Sequence, residues 1–468
     1  MNRKRIITIL IAGLLLAGIF VKCYYVSYTD TWVRQHDVIG FGADEGHAAY
    51  IEYIRNEKKL PDFDLREKWA FFQPPLHHII SASVMDLASN FTDNSKKIEE
   101  STQIPTCIYM ILMTFLALYI FLKAKGMLKL SYQNTAGKFY TEGCVVMLGI
   151  VALHPMFTLF SGSINNDTLP LFLEVLALVA AAAWYEKPTY VRTVLVALLI
   201  GLAMFSKLTG GLVAVPIGII MLRKFFGYSD GESSSGSGRK MSVKERFGYF
   251  FKTYIIKAIV FALVVFPVGL FWSIRSKLMW DIPVNYIPEV GEHFPESVTL
   301  VNRIADIGTK SPYTYMVNKG FAYDEYNVPL SIIKTSLFSE FEFPPSGKLT
   351  LVAWVLFATA VILALLSLVA VAAVTFGKKY NVSRKWKILL FGSWATYLAA
   401  YLYFALSNNN FSACDFRYSG ICIVCSGIFL GIYTDGLKNK KLKYMIAGTA
   451  VVFAACSFAA YVLLGIKS

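Results

Sequence analysis

Three acidic residues close to one another open the chemical reading. Asp44 and Glu45 stand together ahead of a helix-like stretch, and Asp37 lies seven residues upstream. A carboxylate so placed can act as a general base, taking the proton of an attacking hydroxyl. The same pair also suits a helix start, where Asp44 caps the first amides and Glu45 complements the dipole. Further along, Trp69-Ala70-Phe71-Phe72-Gln73-Pro74-Pro75-Leu76-His77-His78 sets Gln73, His77 and His78 among aromatic rings. With His47 these are neutral donors and acceptors for a hydroxyl-rich ligand, or else an aromatic belt with surface histidines. Asn165-Asn166-Asp167 sits in a tight connection, where Asp167 can cap the next helix and still touch a ligand. Lys207 and Arg417 are cations at the ends of runs otherwise empty of charge, and each lies in a polar cluster. In low dielectric such a cation holds an anionic oxygen strongly; the plainer reading is a long side chain reaching for headgroups. His36, His47, His77 and His78 have no spacing that suggests metal ligation, so no metal site is expected.

The elements that must position these residues are written in the composition. Of 468 residues, 56% are hydrophobic, 15% aromatic and 16% charged. Soluble domains carry about 25% charged residues, so this chain reads as an integral membrane protein. Its net charge of +14 is divided among short basic clusters between apolar runs, a pattern of membrane topology and not of a nucleic-acid groove. Apolar runs at about 6–25, 104–122, 142–160, 167–185, 190–205, 208–222, 254–273, 350–376, 388–407, 416–434 and 444–465 predict an all-α polytopic protein of about eleven transmembrane helices. The weakest point is the polar break at Ser206 to Thr209. Clusters such as Lys378, Lys379, Arg384 and Lys385, or Lys438, Lys440, Lys441 and Lys443, fall in alternate connections. By the positive-inside rule the N-terminus is then cytoplasmic.

Two long connections fall outside, roughly 26–103 and 274–349. The division is therefore an N-terminal module, 1–222, with the outer loop 26–103; a Ser/Gly-rich cytoplasmic linker, 223–253; and a C-terminal module, 254–468, with the outer loop 274–349. In the first loop, Ala48, Ile51 and Ile54, and then Leu76, Ile80, Val84 and Leu87, have helical spacing. They predict two amphipathic helices lying on the membrane surface. All six histidines and the polar motifs lie at the outer side, so any chemistry is expected there. Glu174 is the one acid deep within a run, and a single such group does not make an ion relay.

Four stretches in order carry a resemblance: Asp44-Glu45-Gly46-His47 through Leu60-Pro61, Gln73-Pro74-Pro75-Leu76-His77, Ser161-Gly162-Ser163-Ile164-Asn165-Asn166-Asp167, and Arg417-Tyr418 opening a late span. The chain resembles the C-type glycosyltransferase superfamily, near the protein O-mannosyltransferases and the bacterial lipid-A aminoarabinose transferases. The resemblance covers residues 1–220 best. It implies an inverting transferase that moves a sugar from a polyprenyl-phosphate donor, such as an undecaprenyl-phosphate sugar, to an acceptor hydroxyl on the outer face of a bacterial plasma membrane. The acceptor is a cell-envelope glycan, a lipid or a protein. Asp44 is then the expected base, with Asp37 as the competing assignment and Glu45 assisting. His47, Gln73, His77, His78, Asn165, Asn166, Asp167 and Tyr418 are expected to bind substrate, and Lys207 and Arg417 the phosphate. No cofactor or divalent metal is implied beyond the lipid-linked donor. The other readings are a flippase or transporter of a lipid-linked saccharide and an oligosaccharide ligase or polymerase.

Overall fold

The computed structural model describes residues 3–34, 36–127, 141–227, 248, 251–284, 286–288, 294–307, 326–339, 347–410 and 412–467. The described residues are helical, without strands. In chain order the helices are α1 (Arg3–Tyr28), α2 (Gly46–Glu57), α3 (Leu76–Ser89), α4 (Ser95–Glu100), α5 (Gln103–Ala124), α6 (Glu142–Val151), α7 (Pro155–Ser161), α8 (Thr168–Glu186), α9 (Tyr190–Ser206), α10 (Ala214–Gly227), α11 (Ile256–Trp280), α12 (Leu300–Ala305), α13 (Val328–Phe338), α14 (Gly347–Phe376), α15 (Arg384–Ser407), α16 (Gly420–Asp435) and α17 (Lys440–Lys467). The Ser/Gly-rich part of the linker and His293 lie outside the described residues.

All eleven apolar runs are helical. Among the described residues eight helices are long and apolar enough to span a bilayer, or nine if α6 and α7, bent by 47°, form one broken span. The runs at 190–205 and 208–222 form shorter helices. The first is α9, of 17 residues; the second is a 3-10 turn, Leu208–Val213, followed by the 14 residues of α10. At 1.5 Å per residue α10 covers about 21 Å, short of a hydrocarbon core of about 30 Å.

The α6–α7 break has a stereochemical cause. Pro155 has no N–H to give Val151, and the amides of Met156 and Phe157 turn to His154 Nδ1 (3.4 Å) and His154 O (3.0 Å). Side chains from other helices take up the freed carbonyls: Lys22 Nζ donates to Ala152 O at 2.6 Å, and Ser457 Oγ to Leu153 O at 2.5 Å. The bend delivers α7 into the connection that holds Asn165, Asn166 and Asp167.

One end of the bundle is tied by ion pairs among basic-cluster ends: Arg3 with Glu142 (2.6 Å), Lys385 with Glu186 (2.5 Å), and Lys125 with Asp435. At the other end the 26–103 segment folds over the helix tips. There, Ala48 and Ile51 of α2 pack with Ala82 and Met85 of α3, Ile98 and Ile164. Of the apolar stripe expected on α3, Leu76 and Ile80 pack half-buried against the main helical core. Leu87 is 59% exposed, whereas His77, His78, Ser81, Ala82 and Met85 point inward.

Candidate functional site

The N-terminus of α2 sits on an irregular segment. Arg34, Asp37 and Ile39 have φ of 54°, 56° and 61°, left-handed values that are costly for non-glycine residues and most so for a β-branched one. These turns carry two backbone carbonyls under the helix start: Asp37 O accepts from His47 N (2.8 Å) and Val38 O from Ala48 N (3.4 Å), while Trp69 O accepts from Gly46 N (3.0 Å). The capping expected of Asp44 is therefore done by carbonyls. Glu45 holds the N-cap position without a side-chain bond, and Asp44 and Glu45 are both exposed. Gly46 is required at φ +93°, because a Cβ there would lie 2.6 Å from Val38 O.

Asp37, pinned through its carbonyl, turns its carboxylate inward. Its Oδ2 lies 3.7 Å from Arg417 Nη2. Asp167 joins the two cations: its Oδ1 pairs with Lys207 Nζ, and its Oδ2 is 3.5 Å from Arg417 Nε. The expectation that Asp167 caps α8 is corrected here. It occupies the N-cap position, but its side chain makes no capping bond, because the two cations hold it. Its own amide donates to Asn165 Oδ1 at 3.1 Å, which fixes the turn. Asn166 Nδ2 bridges Gln73 Oε1 (3.2 Å) and Ser206 O (2.8 Å), binding the 162–167 connection to both the first loop and the end of α9. Lys207 Nζ and the Arg417 guanidinium lie 4.8 and 4.9 Å from the Tyr418 ring centroid, and Arg417 Nη2 donates to Tyr418 Oη at 2.8 Å.

Asp415, from the same sequence cluster as Arg417, completes the group. Its Oδ1 accepts from Arg417 N (2.9 Å), and its Oδ2 lies 3.2 Å from His36 Nε2, which is itself 2.7 Å from Ser339 Oγ. Neither Asp415 nor His36 was singled out as a site residue from the sequence. The only local signal was their place among polar residues beside apolar runs. Nε and Nη1 of Arg417 are buried without hydrogen-bond partners. A cavity of about 20 Å³, room for about one water, lies beside them, lined by Arg34, His36, Ser163, Asp415 and Arg417 among others.

Charge in the cluster follows from these contacts. The Asp37 side chain is 40% exposed and stands beside the Arg417 guanidinium. Desolvation there pushes its carboxyl above the usual range, with Trp69 and Lys207 drawing it partly back and Asp167 adding to the rise. Burial works against the Lys207 ammonium, but Asp167, Tyr418 and Asp37 outweigh it and raise its pKa. The histidines expected to bind substrate are enclosed. His47, His77 and His78 are 3%, 0% and 0% exposed; His47 Nδ1 lies 2.8 Å from His78 Nε2, and His77 Nε2 lies 3.0 Å from Ile164 O. Burial lowers His47 to about 3 and His77 to about 4, and holds His78 well below the ordinary imidazole value, so all three are neutral wedges between α2, α3 and the 162–167 connection. Among the described residues no group of three or more His, Cys, Asp or Glu side chains is placed to hold a metal ion.

No family model matches the sequence, and no curated protein matches it. Solved structures do. ArnT from Cupriavidus metallidurans bound to undecaprenyl phosphate aligns over 97% of this chain and 77% of its own, with a TM-score of 0.51 at 13% identity. ArnT from the same organism in the apo state aligns over 95% and 77%, with a TM-score of 0.35 at 13% identity. The chain is a helical multi-pass membrane protein with the fold of ArnT.

Proposed function

We propose that this chain is an inverting glycosyltransferase that moves a sugar from a polyprenyl-phosphate donor to an acceptor hydroxyl on the outer face of a bacterial plasma membrane. The observation that carries the reading is the meeting of Asp37, 3.7 Å from Arg417, with Lys207 and Asp167 in one charged cluster. A loop carboxylate beside two cations is what such a reaction needs. The acceptor oxygen attacks the anomeric carbon from the face opposite the phosphate, and Asp37 takes its proton. The bond from that carbon to the phosphate oxygen breaks, and its electron pair stays on the phosphate. Lys207 and Arg417 offset the charge that builds there, Tyr418 shields both cations, and Asp167 sets their spacing. Undecaprenyl phosphate in the matched ArnT structure supports a lipid phosphate as the leaving group. Asp37 is exposed like Asp44 and Glu45, but its carboxylate lies 3.7 Å from Arg417, and that contact favours it as the base. The ion-paired basic end, opposite the cleft, supports a cytoplasmic N-terminus and an outward-facing site.

The test uses the purified full chain in lipid nanodiscs with undecaprenyl-phosphate-linked sugars. Asp37→Asn is expected to lower transfer by about 100-fold or more while keeping undecaprenyl phosphate bound. Lys207→Met and Arg417→Met are expected to weaken that binding. A wild-type chain that carries the intact lipid-linked sugar across a bilayer without cleaving it would replace this reading with a transporter.

A further inference from the structure

A second cleft, of about 70 Å³, adjoins the charged cluster but contains no charge. It is lined by Phe72, Gln73, Trp272, Ser273, Ser276 and Tyr286, with aliphatic residues and prolines between them. Its walls are held fast. Trp272 Nε1 donates to Phe72 O (2.9 Å), Arg275 Nη2 to Pro61 O (2.6 Å) and Arg66 Nη2 to Trp280 O (3.1 Å), clamping the end of α11 against the 58–75 segment. Phe72 and Tyr286 meet edge to face at 5.8 Å. Two wall residues also belong to the charged cluster's surroundings: Gln73 accepts from Asn166, and Leu208 follows Lys207 directly.

From this lining we infer that the cleft seats the acceptor, and that the acceptor's reacting end is an uncharged saccharide. The inference rests on the transferase reading above and deepens it. A sugar ring presents C–H faces that suit aromatic side chains and hydroxyls that suit the Gln73 amide and the Ser273 and Ser276 hydroxyls. Ser276 Oγ donates to Trp272 O (2.8 Å) and Gln73 Oε1 accepts from Asn166, so each keeps further hydrogen-bonding capacity that a prenyl chain would not use. A phosphorylated or carboxylated acceptor would meet no counter-charge in the lining. The position beside Gln73 and Leu208 sets a hydroxyl of the seated ring next to the cluster that contains Asp37. The volume admits one edge of a single ring, so the rest of a larger glycan projects outward.

The experiment uses the full chain in nanodiscs, because glycoside detergents would compete for the cleft. Saturation-transfer NMR is recorded with methyl β-glucoside, methyl α-mannoside and methyl N-acetyl-β-glucosaminide, with and without undecaprenyl phosphate. At least one glycoside is expected to receive saturation and to keep it when undecaprenyl phosphate is added. Ser276→Trp, which fills the cleft, should reduce the signal at least five-fold and leave undecaprenyl phosphate binding within two-fold of wild type. Ser273→Ala/Ser276→Ala, which adds no bulk, should reduce it two- to five-fold and guards against misfolding of the tryptophan variant. The inference is overturned if no glycoside binds the wild type, if neither variant alters binding, or if undecaprenyl phosphate displaces the sugar. If the wild type binds glycosides but not undecaprenyl phosphate, the donor assignment fails and the saccharide cleft stands.

Discussion

The side chains that carry the proposed chemistry differ in how openly the sequence announces them. Lys207 and Arg417 were legible because a cation is conspicuous in a run without charge, and their polar neighbours set them apart from snorkelling residues. The base was not. Asp44 has the better local pattern, and Asp37 reaches the cluster only through left-handed turns at Arg34, Asp37 and Ile39, which non-glycine residues do not signal. We expect Asp44→Asn and Glu45→Gln to keep transfer rates within about three-fold of wild type, against the loss of about 100-fold for Asp37→Asn. Because Asp37 holds its proton above the ordinary carboxylate range, and a base acts only when deprotonated, the rate should fall on acidification at a pH above about 4. A pH profile of kcat/KM for the wild type checks this. An acidic limb at an unshifted carboxylate value would remove Asp37 from the role.

Between residues and molecule, α2 and α3 show what pattern reading captured and what it missed. Their existence followed from periodicity and the Pro74-Pro75 entry. The burial of His77 and His78 did not, because the apolar periodicity of α3 lies in Leu76, Ile80, Val84 and Leu87. In a membrane protein an apolar stripe has lipid as an alternative partner, so hydrophobicity alone does not identify the inward side. Two outcomes belong to these helices. Gly46→Ala forces a Cβ against Val38 O at a positive φ and should cost about 2 kcal/mol, seen as a lower Tm together with slower transfer, since the same carbonyls hold Asp37. The buried imidazoles are neutral when folded, whereas an unfolded histidine titrates near 6.5; unfolding therefore takes up protons as pH falls. Stability should be flat above about pH 7 and should drop below about 6.5, by about 1.4 kcal/mol per pH unit for each buried histidine, until the folded values of about 3 and 4 are reached for His47 and His77. Thermal unfolding at several pH values tests this, and a curve flat down to pH 5 would contradict it.

The bundle as a whole was readable as helical and polytopic from composition. Hydropathy registers apolar content and does not show the turn at Leu208–Val213 or the bend at Pro155, on which the number of crossings depends. The two ends of the molecule are also separable by experiment. Lys125→Met leaves Asp435 with hydrogen bonds from Thr141 and Gly143 but without its cation and should lower stability by about 3 kcal/mol, yet leave undecaprenyl phosphate affinity within two-fold, as a calorimetric and a binding measurement on one preparation would reveal. At the cleft end, the carboxylate that Asp167 lends to Lys207 and Arg417 bears on turnover. In the proposed reaction an arriving lipid phosphate would exchange with an anion already in residence, so the two cations would hold it less tightly than their charge alone would dictate. Once the sugar had left, Asp167 would reclaim them and release the spent carrier, a tethered counter-ion working against poisoning by the product.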